Sequence, residues 1–180
     1  MDQQNTTSEG EPILLHSRIF DVVERTQLGR SGKLLKRQIV RHPGAVGIVP
    51  ILPDGRVLLI NQYRIAFRKD IYEIPAGTRE PNEESIITAK REMVEETGYR
   101  CGKIELLNSI YTSPGVLQEE LFLFLATDLQ KGESAPEDGE RIEPTPKTWS
   151  EIDKMLEAGE IHDAKTIAGL FLARRKLGLE

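Results

Sequence analysis

The segment from Gly77 to Tyr99 constrains this chain most, because it joins a glycine to an acidic helical pattern. It carries three glutamates at helical spacing, namely Glu92, Glu95 and Glu96. A helix would project all three carboxylates from one side. Ile86 and Met93 recur at helical spacing on another side, which favours packing against a core. The segment therefore predicts a helix that faces a core with one side and presents carboxylates on another.

The glycine and the glutamates together indicate a metal site. Gly77 permits a tight loop just before the helix, which would bring backbone carbonyls near the same carboxylates. Hard oxygen ligands suit Mg²⁺ or Mn²⁺, and magnesium suits phosphate chemistry because it bridges phosphate oxygens and activates water. The alternative is a solvated acidic face, which costs only about 0.2–0.5 kcal/mol for each like-charged pair. Energy therefore does not decide between the two, and the decision depends on the spacing of the whole segment.

Apolar runs on both sides of this helix are typical of strands. They cover residues 14–40, 45–52, 57–63, 71–74, 104–111 and 120–127. The first run contains turn residues at 28–32 and predicts two strands joined as a hairpin. Pro53-Asp54-Gly55 predicts a turn between the second run and a returning third strand.

Capping residues predict where the helices begin and end. Asn82 is expected to cap the acidic helix and Gly98 to end it. Ser150 is expected to cap a helix over residues 151–158, and Asp163 is expected to cap a last helix that ends near Lys176. The order of strands, helix, strands and helices predicts an α/β fold with a mixed sheet packed between helices.

Composition excludes several classes of protein. Cys101 is the only cysteine among 180 residues, so an intramolecular disulfide and a Cys₄ or Cys₂His₂ zinc site are excluded. No apolar run is long enough for a membrane span, and the first ten residues lack a targeting signal, so we expect a cytoplasmic protein with no membrane partner. The net charge of −5 disfavours a sequence-blind nucleic-acid binder. An anionic ligand would need cations that the chain itself does not supply.

The complete segment resembles the Nudix box, the signature of the Nudix hydrolases. It has Gly77, five residues, Glu83, seven residues and then the run from Arg91 to Tyr99, with every fixed position present. The resemblance implies a Nudix-type α/β/α sandwich, here with an N-terminal β-hairpin extension. We expect a flexible tail over residues 1–12, N-terminal strands over 13–44 and the hydrolase domain over 45–180. The resemblance also implies hydrolysis of a nucleoside diphosphate linked to another group.

The same resemblance implies which residues hold metal. It implies two or three Mg²⁺ ions, with Mn²⁺ as an alternative, bound by oxygens of Ala76 (its carbonyl), Glu92, Glu95 and Glu96. Glu92 and Glu96 would be the main ligands, and Glu96 is also expected to be catalytic. Arg91 and Glu83 would orient the ligands and brace the loop against the helix.

The acidic loop over residues 137–143 resembles a family loop that carries two acids separated by one residue. Aligned on Ile142, Glu140 matches the acid that binds metal, and it is expected to be both a ligand and catalytic. Asp138 stands where the family has a glutamate, so either Asp138 or Glu140 would deprotonate the attacking water. Glu137 is an alternative base, and a plain charged loop is the alternative to the whole assignment.

Residues flanking the box resemble the ADP-ribose and nucleotide-sugar pyrophosphatases. The similarity includes the runs Asn61-Gln62-Tyr63-Arg64 and Glu73-Ile74-Pro75-Ala76-Gly77, and Pro114, which lies fifteen residues beyond Tyr99. It implies six substrate-binding residues, namely Arg37, Arg64, Ile19, Phe20, Glu73 and Glu119. Arg64 would reach the pyrophosphate or the terminal sugar phosphate, Arg37 would contact the substrate, and Ile19 and Phe20 would pack the adenine. The alternative is a surface role for the arginines and a core role for Phe20. Glu73 and Glu119 would contact the substrate or support the metal ligands, with simple hydrogen bonding as the alternative.

The expected reaction is hydrolysis of ADP-ribose to AMP and ribose 5-phosphate. Another nucleotide sugar, a dinucleotide or FAD are alternative substrates, and a non-catalytic nucleotide sensor is an alternative of a different class. The resembling family often forms homodimers in which N-terminal strands reach the partner's site, so a homodimer is expected.

Overall fold

The structure is a computed structural model that describes residues 10–132 and 141–179. These residues form eleven strands and three helices. The strands are β1 (Ile13–His16), β2 (Asp21–Leu28), β3 (Leu34–Arg41), β4 (Ala45–Pro50), β5 (Val57–Arg64), β6 (Lys69–Glu73), β7 (Ala76–Thr78), β8 (Tyr99–Ile110), β9 (Leu117–Gln118), β10 (Leu121–Lys131) and β11 (Ile142–Lys147). The helices are α1 (Ser85–Thr97), α2 (Trp149–Glu157) and α3 (Ala164–Leu177). Within the described residues, none of these helices is long and apolar enough to span a membrane.

The central layer is a mixed four-stranded sheet in the order β7-β4-β10-β8. β4 and β10 are parallel, whereas β10 with β8 and β4 with β7 are antiparallel. α1 packs in one buried cluster with this sheet, and α2 and α3 pack in a second cluster on the other side. The predicted α/β fold with a mixed sheet between helices is confirmed.

Alternation of side chains along β4 explains the two helical layers. Val46 and Ile48 pack in the cluster that contains Met93 of α1, whereas Val49 packs in the cluster that contains Leu170 of α3. Successive side chains of a strand point to opposite faces, so a strand covered on both faces needs a continuous apolar run. Each such side chain stabilises the fold by about 1.5–3 kcal/mol when it is fully buried.

Two smaller sheets flank the central layer. β1-β2-β3-β9 form an N-terminal sheet, and β11-β5-β6 form a third sheet. The predicted N-terminal hairpin is β2 and β3, whose ends pair at Leu28 and Leu34. β9 joins this sheet from the middle of the chain by parallel pairing with β3. Residues 1–9 of the expected tail lie outside the described residues, and the domain boundaries at residues 12 and 44 stay predictions.

The sequence predicts that β4 and β5 form a hairpin. The turn of this hairpin is present, but the predicted pairing of the two strands is wrong. Leu52 and Gly55 form the turn hydrogen bonds, but only Ile51 and Val57 pair across it. β4 already has β7 on one edge and β10 on the other, so no edge is left for β5. β5 therefore leaves the central sheet and pairs with β6 and β11.

α1 begins later than the capping pattern predicts. Asn82 has a φ of 63°, a left-handed conformation, and the N-cap is Glu84, which makes no side-chain cap bond. Asn82 therefore lies in the turn that precedes the helix. Asparagine tolerates this left-handed backbone conformation, whereas most other residues do not. The predicted end is confirmed, since Gly98 is the C-cap with a φ of 73°.

The C-terminal helices have one confirmed cap and one that was predicted wrongly. Asp163 caps α3 by accepting a hydrogen bond from the Thr166 amide at 2.9 Å. α2 is capped by Thr148 and not by Ser150. Thr148 and Glu151 form a reciprocal capping box, with Glu151 accepting from the Thr148 amide at 2.7 Å.

Replacing Thr148 should therefore destabilise the protein. We expect Thr148→Ala to lower the free energy of unfolding by about 1 kcal/mol, because an amide of the first helical turn loses its acceptor. Ser150→Ala is the matched control and should leave that free energy unchanged. Urea unfolding of both variants measures the difference, and equal losses would contradict the assignment of Thr148 as the cap.

Candidate active site

A cavity of about 1260 Å³ lies between the N-terminal sheet, the central sheet, α1 and the start of α3. Its walls come from the β1–β2 turn, the end of β3, the loop after β7, the segment before β10, and the helices α1 and α3. Among the expected site residues, the cavity is lined by Ile19, Phe20, Arg64, Ala76, Glu92, Glu95, Glu96 and Glu119. Residues far apart in the sequence thus share one concave surface.

The carboxylates of α1 are held by specific donors. Arg91 donates from Nη1 to Glu92 Oε1 at 2.7 Å and to Glu95 Oε2 at 2.8 Å. Glu96 Oε2 accepts from the Ala76 amide at 2.8 Å. Glu92 is 9% exposed and Glu96 is 4% exposed, which is unusual for glutamate. Two of the three carboxylates are therefore buried beside β7, whose Ala76 amide donates to one of them.

Gly77 is required because β7, the strand that contains it, lies close to α1. A Cβ atom at Gly77 would lie 1.9 Å from the carboxyl carbon of Glu92. No side chain fits at that distance, so any larger residue must displace Glu92 or β7. The absence of a side chain therefore makes room for the Glu92 carboxylate. Gly77 does so within a short strand that pairs with β4, so the expectation of a tight loop at this glycine is wrong.

Glu83 and Arg91 connect the loop to the helix. Arg91 Nη2 donates to Glu83 Oε2 at 3.3 Å and to the Thr78 carbonyl at 3.3 Å. The hydrogen bond from Arg91 is the main reason why the pKa of Glu83 is lowered to about 2. Burial would lower the pKa of Arg91, but its acidic neighbours outweigh burial and raise it. Both groups are therefore charged at neutral pH and brace the loop against α1.

The donor set is chemically suited to a hard divalent cation. Carboxylate and backbone oxygens are the ligands that Mg²⁺ and Mn²⁺ prefer. As the side chains stand, residues 10–132 and 141–179 contain no group of three His, Cys, Asp or Glu arranged to hold one ion. Glu92 and Glu95 instead accept from Arg91, and Glu96 accepts from an amide. The expected acids Glu137, Asp138 and Glu140 lie outside the described residues.

A buried glutamate, Glu73, holds two cations of the cavity wall. Glu73 is 1% exposed and accepts a fork from Arg64, with bonds of 2.7 Å from Nε and 2.8 Å from Nη2. Lys165 of α3 also donates to Glu73 and lies 3.0 Å from Asp163 Oδ2. Burial would raise the pKa of Glu73, but the cations Arg64 and Lys165 outweigh burial and lower it. Glu73 does not line the cavity, whereas Arg64 and Lys165 do.

The remaining expected substrate residues are divided between the cavity and the N-terminal sheet. Glu119 accepts from Thr112 Oγ1 at 2.6 Å and lies 3.3 Å from Nδ1 of His42, whose pKa is lowered by burial. Ile19 and Phe20 lie in the β1–β2 turn on the cavity wall. Arg37 lies on exposed β3 and does not line this cavity.

Sequence reasoning missed several polar residues of the cavity, among them His42 and Lys165. His42 lies just before the predicted turn at Pro43-Gly44, and its distance along the chain from the other histidines and Cys101 matches no metal-ligand or catalytic-triad pattern. Lys165 contacts Glu73 across 92 positions of the chain, so no local pattern reports the pair. The only signal was the Asp163 cap, which fixes the start of α3 and hence the position of Lys165.

Acid should unfold the protein partly through Glu73. Because its pKa is lowered in the folded state, Glu73 stabilises the fold above about pH 4.3, the ordinary value for glutamate, and this contribution is lost as the pH falls through the folded pKa. We expect Glu73→Gln to lower the free energy of unfolding by about 2–4 kcal/mol at pH 7 and to flatten its dependence on pH between about 5 and 3. Urea unfolding across this range measures both effects.

Glu105→Gln is the matched control for this prediction. Glu105 also contacts two lysines, Lys103 at 2.5 Å and Lys176 at 3.1 Å, but at the surface. Exposed pairs contribute little, so this variant should keep the stability and the pH dependence of the wild type. Identical acid profiles for Glu73→Gln and the wild type would contradict the assignment.

Comparison with solved structures identifies a protein with the same fold. A crystal structure of an ADP compounds hydrolase superposes with a TM-score of 0.79, at 22% identity, over 99% of this chain and 97% of that chain. At this identity the likeness shows the fold alone, and it agrees with the mixed sheet between helices described above.

Comparison of sequences gives the family. The family model described as the NUDIX domain matches residues 41–170. An ADP-ribose pyrophosphatase of Bacillus subtilis (strain 168) is 38% identical over 152 residues, which are 83% of this chain and 82% of that protein. A methanol dehydrogenase activator of Bacillus methanolicus is 40% identical over 139 residues, which are 76% of this chain and 75% of that protein. With the box carboxylates and the strand that contains Gly77 assembled at one cavity, the chain belongs to the Nudix family of pyrophosphohydrolases.

Proposed function

We propose that this enzyme hydrolyses the diphosphate bond of a nucleoside diphosphate sugar, and that ADP-ribose is its substrate, giving AMP and ribose 5-phosphate. The observation that carries the proposal is that one cavity is lined by the box carboxylates, by the apolar residues Ile19 and Phe20, and by cations. A nucleotide sugar has an aromatic base that would contact the apolar residues. Its diphosphate would contact the cations directly and the carboxylates through bound metal. The 38% identical ADP-ribose pyrophosphatase supports the same substrate.

The metal ions are proposed to be two or three Mg²⁺, with Mn²⁺ as an alternative. Glu92, Glu95, Glu96, the Ala76 carbonyl and Glu140 would hold them. Bound Mg²⁺ neutralises phosphate charge and lowers the pKa of water. Glu92 and Glu95 already accept from the cationic group of Arg91, which supports their capacity to bind a positive charge.

The other proposed roles belong to protein groups around the diphosphate. Asp138 or Glu140 would take the proton of the attacking water. Arg64, whose guanidinium is held by Glu73, would bind phosphate or the terminal sugar with the donors that Glu73 leaves available. Glu119 would accept hydrogen bonds from a sugar hydroxyl. We propose a cytoplasmic setting for this reaction.

A catalytic test follows directly from the assignment of Glu96. With Mg²⁺ and ADP-ribose, the wild type should release AMP and ribose 5-phosphate, and Glu96→Gln should lose about 10²–10⁴-fold in kcat because transition-state charge is no longer stabilised. Glu84→Gln is the control, since Glu84 is exposed at the start of the same helix and lies outside the cavity. Near wild-type turnover by folded Glu96→Gln would contradict the metal assignment.

Alternative substrates are separated by the same assay. The 40% identity to a methanol dehydrogenase activator favours, as a second candidate, a dinucleotide of the kind that dehydrogenases use. A panel of ADP-ribose, a GDP-sugar, NAD and FAD, with the products identified by chromatography, ranks them by kcat/KM. Binding of nucleotide without any product release would instead indicate a non-catalytic sensor.

We also propose that the enzyme is a homodimer joined through its N-terminal sheet. This sheet exposes Leu14 at 54%, Leu28 at 69% and Leu34 at 72%, and it carries Arg37 away from the chain's own cavity. Exposed apolar side chains at both ends of one sheet favour an interface, and Arg37 would then contact the substrate in the partner's site.

Light scattering tests the dimer directly. The wild type should have twice the chain mass of 20.3 kDa. Leu28→Asp combined with Leu34→Asp should give the single mass, because two charges would be buried at the interface. Ile65→Asp, at an exposed site outside the N-terminal sheet, should remain dimeric. A wild type of single-chain mass at micromolar concentration would contradict the proposal.

A further inference from the structure

The cations of the cavity differ in whether an acidic group already neutralises them. Within the described residues, six arginines and lysines line it, namely Arg18, Arg41, Arg64, Arg79, Arg91 and Lys165. Four of these form ion pairs with carboxylates. In the part of the chain that the structure describes, Arg18 and Arg79 have no such carboxylate partner. The cavity of this acidic protein therefore holds two positive charges that are available to an anion.

Arg79 is fixed in place without being neutralised. Its Nε and Nη2 donate to the Glu83 carbonyl at 3.1 Å and 2.5 Å. Its guanidinium carbon lies 5.5 Å from the centre of the Phe122 ring. A carbonyl and an aromatic face orient a guanidinium but carry no formal negative charge. Arg18, by contrast, is exposed in the β1–β2 turn, and its side chain forms no hydrogen bond or ion pair among the described residues.

Glu83 holds Arg79 next to the box carboxylates. Its carbonyl accepts from Arg79, while its carboxylate accepts from Arg91, which in turn contacts Glu92 and Glu95. Glu83 thus connects Arg79, whose charge no carboxylate neutralises among the described residues, to the carboxylates that are proposed to hold metal. The Nη1 group of Arg79 makes no hydrogen bond among the described residues and keeps both of its donors.

We infer that Arg79 binds a phosphate oxygen of the substrate diphosphate. A diphosphate held at the box carboxylates through metal carries further oxygens that need donors, and a preoriented guanidinium supplies them at small entropic cost. Arg79 would bind the ground state and the transition state alike, so its loss appears mainly in KM. The inference rests on the proposed function for the identity of the substrate. The test of phosphate binding does not depend on that identity.

The experiment compares Arg79→Met with Lys147→Met. Lys147 is the matched control, because it is half-buried, lies 5.7 Å from the Tyr72 ring and is outside the cavity. With Mg²⁺, Arg79→Met should raise KM for ADP-ribose about 10- to 100-fold, as expected for loss of a charged hydrogen bond, while the Mg²⁺ concentration for half-maximal activity stays unchanged. Arg79→Lys should recover part of the loss, and Lys147→Met should stay within about twofold of the wild type.

Calorimetric titration with ADP and with adenosine separates phosphate binding from a structural effect. Arg79→Met should weaken ADP binding by a similar factor and leave adenosine binding unchanged, because adenosine has no phosphate. Three results would each overturn the inference and leave Arg79 with only a structural role in the loop. They are an equal weakening of ADP and adenosine binding, a changed Mg²⁺ requirement, and an ADP affinity equal to that of the wild type. If the wild type binds ADP but does not cleave ADP-ribose, the proposed function fails while the comparison of ADP affinities still decides the role of Arg79.

Discussion

The approach of β7 at Gly77 to Glu92 is the constraint on which the rest of the site depends. The glycine has no side chain, so the strand can lie against the carboxylate at a distance that excludes even a methyl group. Arg91 also connects α1 to the Thr78 carbonyl of β7 and to Glu83 in the loop that follows. Because β7 is paired with β4, the helix carboxylates are positioned against the central sheet itself. The sheet thus determines where the acidic oxygens lie.

A second fixed point is the buried carboxylate of Glu73. It lies at the end of β6 and contacts Arg64 of β5 and Lys165 of α3, so it connects the third sheet to the last helix. A buried carboxylate with this little exposure is tolerated only when cations satisfy it. The same contacts hold two cations, Arg64 and Lys165, at the wall of the cavity. The site therefore combines the carboxylates of α1 with cations that are held by a separate buried acid.

The sequence predicts the local parts of this arrangement well and the long-range parts poorly. The acidic helix, its Gly98 end and the Asp163 cap depend on residues within a few positions of one another, and the structure has all three. The cap of α2 was also readable, because Thr148 and not Ser150 is followed three residues later by a glutamate. The partner of β5 was not readable, since it depends on which edges of β4 are already occupied. The contact of Glu73 with Lys165 likewise depends on the packing of α3, which no short pattern encodes.

The short strand β9 has a mechanical consequence for the whole molecule. Its two residues form the parallel connection to β3, and they lie immediately before Glu119 on the cavity wall. Force applied to the N-terminal sheet would therefore reach the cavity wall through β9, as well as through the chain that joins β3 to β4. A tether, fusion or surface attachment placed on β2 or β3 would load that wall by this second route.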